Sequence, residues 1–167
     1  MFDVTRAREE TIASTMQQLE ITAKTQQVQV RFTRRDVVTV HACATSMALI
    51  LRNILDNAIR YTPPGGVVDV DVGEGQDKAW LSVTDTGPGI DPEQRELLFQ
   101  RFYRGAQQHV PGSGLGLSIV QRCVELHGGE IELQSPERGG LCVVVRLPKY
   151  QAAASAHSTD IAAAAAT

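Results

Sequence analysis

Between positions 51 and 62 the chain reads LRNILDNAIRYT, and its apolar and polar positions separate at 3.6 residues per turn. Leu51, Ile54, Leu55, Ala58 and Ile59 share one side of a helix expected over about 45–62. Asn53, Asn57, Arg60 and Tyr61 recur at i, i+4, i+7 and i+8 and line a second stripe, nearly opposite. Asn is a poor helix former, and an ordinary exposed face favours Glu and Lys, so two Asn one turn apart suggest a use. On this segment alone, a plain polar outer face is an equal reading.

The same patterning lays out the remaining elements. Ile12, Met16, Leu19 and Ala23 predict an amphipathic helix over 6–26. Val28, Val30 and Phe32 alternate with polar residues, and Val38 and Val40 follow the charged run Arg34-Arg35-Asp36; the pattern reads as two short strands in a hairpin. Pro63-Pro64-Gly65-Gly66 ends the central helix. Val68, Val70 and Val72 alternate with Asp69 and Asp71, giving a strand with one solvated face. On the next strand, 79–85, Leu81, Val83 and Asp85 share a face, so Asp85 is expected to point inward. Asp91-Pro92 opens a short helix reaching about Phe102, with Phe99 and Phe102 expected in the core. Positions 103–111 show no periodicity and are expected to form a mobile loop. Ile119, Val120, Cys123, Val124 and Leu126 predict a helix closed by His127-Gly128-Gly129, and alternating strands follow at 130–134 and 141–147.

Composition narrows the class. The 167 residues are one domain's worth, with enough apolar content for a core. The formal net charge is −3 and there is no basic run, so nothing points to a nucleic-acid partner. Cys43, Cys123 and Cys142 are far apart and form no CxxC pair, which argues against a zinc site and a disulfide framework; a reducing cytosol is the natural compartment. No apolar run has the length of a membrane span, and the N-terminus lacks a signal-peptide pattern. The Ala-rich stretch 150–167 is expected to be a poorly ordered tail.

Two further stretches carry candidate chemistry. An inward carboxylate at Asp85 is costly unless donors reach it, and it opens the tight turn Asp85-Thr86-Gly87-Pro88-Gly89-Ile90. Taken alone, a structural Asx-type turn accounts for that stretch somewhat better. Gly112-Ser113-Gly114-Leu115-Gly116-Leu117 feeds directly into a helix, and a glycine-rich turn at a helix start offers free N–H groups and a positive dipole end that suit phosphate. It is neither a P-loop nor a dinucleotide fingerprint, and by itself is a weak signal.

In combination and in this order, the Asn-bearing helix, the strand ending in DTGPGI, FQRFYRG and GSGLGLSIV resemble the N, G1, F and G2 boxes of the sensor histidine kinase catalytic domain. This is the ATP-binding module of the GHKL or Bergerat class. The resemblance covers about residues 8–148, and RNILDNAIRYTPPGG and FYRG…GSGLGLSIVQR…ELHGG look especially like membrane sensor kinases of the QseC kind. It implies a two-layer α/β sandwich, a mixed and mostly antiparallel sheet under three main helices. It implies a domain over 8–149, after a linker remnant at 1–7.

The resemblance also implies roles. Asp85 would accept a hydrogen bond from the adenine amino group and reject guanine; Gly87 and Gly89 would let the backbone approach the base, with Ile90 against it. Asn57 would give its oxygen to Mg²⁺, with Asn53 supporting the ion through water or binding phosphate, and Arg60 and Tyr61 reaching the phosphates. Arg104, after Tyr103, would meet the γ-phosphate. Gly112, Ser113, Gly114 and Gly116 would surround the phosphates, while Leu115 and Leu117 fix the loop to the core. Asn53, Arg60 and Arg104 are the expected catalytic residues. Asn53 stands where ATPase branches of the class carry a glutamate base, which favours phosphoryl transfer over hydrolysis.

The implied cofactors are ATP and Mg²⁺. The implied partners are a dimerisation and histidine-phosphotransfer domain and a response regulator, with a membrane-anchored dimeric parent of which this would be a cytoplasmic part. None of His41, His109, His127 or His157 has the setting of the family's phosphoacceptor, so the fragment is not expected to phosphorylate itself. The alternatives are a stand-alone GHKL protein-serine kinase and a nucleotide-binding regulatory module without transfer activity.

Overall fold

The computed structural model describes residues 4–103 and 114–150. Helix α1 (Val4–Thr25) leads into strand β1 (Gln29–Arg35), helix α2 (Ala44–Tyr61) and strands β2 (Val67–Glu74) and β3 (Lys78–Asp85). Two short 3-10 turns (Pro92–Gln94 and Glu96–Phe99) precede helix α3 (Gly116–Leu126) and strands β4 (Glu130–Gln134) and β5 (Cys142–Pro148). The strands form one sheet in the order β1-β2-β3-β5-β4, parallel between β1 and β2 and antiparallel elsewhere. Helix α2 packs against both α1 and α3, so the α-helices make one layer and the sheet the other. This is the mixed α/β sandwich expected from the sequence.

The expected hairpin of residues 28–40 does not form. Strand β1 continues through Arg35 and pairs in parallel with β2, Val30 beside Val68 and Phe32 beside Val70, whereas Val40 makes a single bridge to Lys149. A parallel pair requires a crossover, and α2 supplies it. The charges that read as a turn are strand and strand-end residues with partners. Arg31 reaches both carboxylate oxygens of Asp69 at 2.8 and 3.0 Å, and Arg34 lies 5.4 Å from the Trp80 ring centroid.

The apolar side of α2 is the centre of the core. Ile50, Ile54, Leu55 and Ile59 are at most 1% exposed, packed in one cluster with Val68, Val70, Val83 and Val145 of the sheet and Val120 and Val124 of α3. Burying each such side chain stabilises the fold by about 1.5–3 kcal/mol, so the rotation of α2 about its axis is strongly specified. Both ends of the helix are closed. Cys43 caps the start through Ser46 N–H, and at the other end the backbone N–H and side-chain hydroxyl of Thr62 both donate to the Ala58 carbonyl, at 3.1 and 2.6 Å. Pro63 prevents continuation.

A second correction concerns residues 91–102. Asp91 accepts from Glu93 N–H at 3.0 Å with Pro92 in the first helical position, as expected, but the segment forms two 3-10 turns ended by the extended Gln100. Phe99 packs against the core, whereas Phe102 is 72% exposed. Its backbone is left-handed, with φ +66°, and its N–H donates to the Gly114 carbonyl at 2.9 Å. That backbone geometry closes the chain onto the start of α3 and leaves the ring outside.

Candidate functional site

Because α2 is locked by its apolar side, its polar stripe faces the start of α3. A Cβ placed on Gly116 would stand 3.3 Å from Asn53 Oδ1 and 3.4 Å from Asn57 Nδ2, so the absence of a side chain keeps this junction open. Asn53 Nδ2 donates to the Leu49 carbonyl at 2.8 Å, which directs its donor back along the helix and leaves Oδ1 beside Gly116. Asn57 is half-buried and its side chain has no hydrogen-bond partner among the described residues.

Helix α3 begins without a side-chain cap. Leu115 occupies the capping position, and the first intrahelical bond is Ile119 N–H to Leu115 O at 3.0 Å. The N–H groups of Gly116, Leu117 and Ser118 therefore have no acceptor within the helix. An uncapped helix start next to two carboxamides is a place where an anion is favoured. Leu117 is buried and anchors the first turn.

The other end of α2 meets the turn after β3. Gly87 lies so close to Tyr61 that an added Cβ would be 2.6 Å from the Tyr61 carbonyl oxygen, which requires glycine here. Asp85 is 5% exposed, the inward carboxylate expected. Its Oδ1 accepts from Gly87 N–H at 2.8 Å and from Leu141 N–H at 3.2 Å. Burial raises its pKa above the ordinary carboxylate value, and these two backbone donors oppose the shift. Among the described residues every donor to the carboxylate uses Oδ1, and Oδ2 is left to accept from something else.

The structure thus brings Asn53, Asn57 and Gly116 together, and separately Tyr61, Gly87 and Asp85, at two ends of one stretch of α2. Gly114 sits against the backbone of Phe102 and Tyr103, with φ +67°. Gly89, with φ +73°, approaches Gly140, and Ile90 is half-buried. Arg60 Nε pairs with Asp56 one turn earlier at 2.8 Å. Arg104, Gly112 and Ser113 lie outside the described residues, as does most of the loop expected at 103–111. Sequence reasoning missed Gly140 and Leu141, whose backbone holds Asp85. The paired Gly139-Gly140 before β5, at φ +81° and +87°, was the available signal.

The chain belongs to the family described as histidine kinase-, DNA gyrase B-, and HSP90-like ATPases, whose model matches residues 43–151. Within it the relatives are sensor histidine kinases. Sensor protein QseC of Escherichia coli K12 is 48% identical over 94 residues, 56% of this chain and 20% of QseC. The solved structure of a mycobacterial sensor histidine kinase, MprB, superposes with a TM-score of 0.73 at 33% identity, covering 85% of this chain and 94% of that one. Full-length ShkA, solved in complex with AMPPNP, gives a TM-score of 0.75 at 26% identity, covering 87% of this chain and 31% of that one. The chain therefore spans about a fifth of the length of the curated relative QseC. Among the described residues no helix is long and apolar enough to cross a membrane.

Proposed function

We propose that this domain binds Mg-ATP between α2, the Asp85 turn and the start of α3, and transfers the γ-phosphoryl group to a histidine on a separate dimerisation domain for relay to a response regulator. The observation that carries the reading is the joint placement of one inward carboxylate and one pair of Asn beside an open, uncapped helix start. Asp85 Oδ2 accepts the adenine amino N–H. Guanine offers a carbonyl there, which the carboxylate repels. Gly87, Gly89 and Ile90 border the base. At the other end, the N–H groups of α3 at Gly116 and Leu117, which have no acceptor within the helix, neutralise phosphate charge behind Gly114 and Leu115. Tyr103, against Gly114, borders this region, whereas Tyr61 lies at the Asp85 end with Arg60 beside it in sequence; Arg104, Gly112 and Ser113, outside the described residues, are the further phosphate contacts expected.

The residues fit a hard cation as well. Asn57 has an uncommitted carboxamide, and Mg²⁺ takes oxygen ligands while keeping several waters, so one protein oxygen suffices. When bound, the ion supplies charge neutralisation for the phosphates. Asn53 holds its Oδ1 beside Gly116, yet a carboxamide takes no proton from water, so hydrolysis has no base at this position. The parent is a membrane-anchored dimer with this domain in the cytoplasm, and the domain alone does not phosphorylate itself because none of its histidines has the acceptor setting.

The test is transfer from γ-labelled ATP to a supplied dimerisation and phosphoacceptor domain. The reading expects label on that domain in an acid-labile, base-stable form, as phosphohistidine gives. Acid-stable label would favour transfer to serine, and bound ATP without any transfer would leave a regulatory module.

A further inference from the structure

A second cluster of nucleophilic and titratable groups lies at the far end of α2, about 20 Å along the helix from Asn57 at 1.5 Å per residue. Cys43 is exposed and caps the helix. Its Sγ accepts from Ser46 N–H at 3.4 Å and lies 3.0 Å from Ser46 Oγ. Its own N–H donates to Nε2 of His127, the residue that closes α3, at 3.4 Å. The other ring nitrogen, Nδ1, is 2.7 Å from the Cys123 carbonyl. Nδ1 therefore carries the proton and donates, and Nε2 is the acceptor. One imidazole ties together the backbones of two cysteines that are distant in sequence, and neither thiol has a part in the nucleotide site.

The surroundings favour charge on one sulfur and not on the other. Ser46 supplies two donors and the helix start supplies a positive dipole end, and the His127 ring adds to both when it carries a second proton. The Cys43 thiol is pulled down to about 7, chiefly by the bonds from Ser46 and to a smaller extent by His127. Cys123 is half-buried and pushed up, first by burial and then by charge on Cys43. The titratable group acting on Cys43 is His127, at the end of α3, and charge on Cys43 in turn acts on Cys123.

We propose that the Cys43, His127 and Cys123 cluster is a thiol-modification site, at which Cys43 reacts with peroxide and Cys123 is the neighbouring thiol. The Cys43 thiolate sulfur attacks one oxygen of hydrogen peroxide. An S–O bond forms, the O–O bond breaks, and the departing hydroxide takes a proton to become water. Sulfur loses two electrons and becomes a sulfenic acid; peroxide is reduced.

The experiment uses the whole chain. Peptide mass spectrometry follows iodoacetamide labelling of each cysteine across pH, and peroxide treatment follows with dimedone present. Cys43 is expected to label at least about tenfold faster than Cys123 or Cys142 at pH 7, with its rate half-maximal near pH 7. Ser46→Ala and His127→Gln are each expected to move that midpoint upward. Peroxide is expected to leave Cys43 as a dimedone adduct, the trapped two-electron product. A midpoint near the free-cysteine value of about 8.5, or no peroxide product at Cys43, would overturn the proposal. Circular dichroism of each variant separates this from unfolding, which exposes all three thiols alike, and the unmodified chain decides the question if a variant fails to fold.

Discussion

Asp85 and Leu141 hold each other in both directions: Leu141 N–H donates to the Asp85 carboxylate at 3.2 Å, and Asp85 N–H donates to the Leu141 carbonyl at 2.9 Å. The exchange joins the end of β3 to the chain entering β5 and aims the carboxylate. Gly140 makes it possible. Its φ is +87°, and a Cβ there would collide with the Asp85 carbonyl and stand 3.1 Å from Oδ1.

Gly140→Ala is therefore expected to destabilise the fold by about 1–3 kcal/mol, combining left-handed strain with the displacement of Asp85. Urea unfolding measures the loss. ATP affinity should fall by more than the stability change accounts for, since the carboxylate is re-aimed in the molecules that remain folded.

Asp85→Asn separates function from stability. An amide oxygen still accepts from Gly87 and Leu141 N–H, while the penalty for burying a charge disappears. Because the folded carboxyl titrates above its unfolded value, the native state holds the proton more tightly. Wild-type stability therefore declines as pH rises through the unfolded value toward the folded one, and levels off above it. The variant lacks this decline. At pH 7 it is expected to be at least as stable as wild type, with the difference shrinking toward acid, yet to have lost ATP binding. Thermal melts from pH 3 to 8, with and without nucleotide, check both halves.

How far all this was legible in the sequence depended on how local each signal was. The stripes of α2 and α3 and the alternation of β2 to β5 are carried by neighbouring residues, and they placed Asn53, Asn57 and Asp85 on the elements that hold them, while Gly116, read in the turn before the helix, is the first residue of α3. The misread hairpin had a non-local partner: β1 pairs with Val67 to Val72, on the far side of α2. The donors to Asp85 were hidden for the same reason, since Leu141 lies 56 residues away. Phe102 misled by type, because its aromatic ring suggested core while its left-handed backbone put it outside. Cys43 went unnoticed as a helix cap because sulfur is not among the usual capping atoms.

Asn57→Ala is expected to raise the stability of the nucleotide-free domain by up to about 0.5 kcal/mol, as Ala is the better helix former and no hydrogen bond among the described residues is lost. Mg-ATP affinity should nevertheless fall at least tenfold, and the dependence of binding on Mg²⁺ concentration should flatten. Titration of metal at fixed ATP gives the second readout.

Gly116→Ala narrows the junction. The new methyl sits 3.3 Å from Asn53 Oδ1, so the carboxamides must give way, while the helix start gains a better former. Stability is expected to change by less than about 1 kcal/mol. Phosphate-dependent affinity should drop, visible as a larger loss for ATP than for adenosine.

The most direct test of the nucleotide site is calorimetric titration of the domain with ATP and GTP at constant Mg²⁺, on wild type and Asp85→Asn. Saturable heat with ATP alone, abolished by Asp85→Asn in a folded protein, is the result expected. Equal binding of GTP, or unchanged ATP binding in Asp85→Asn, would contradict the assignment of the buried carboxylate as the adenine acceptor.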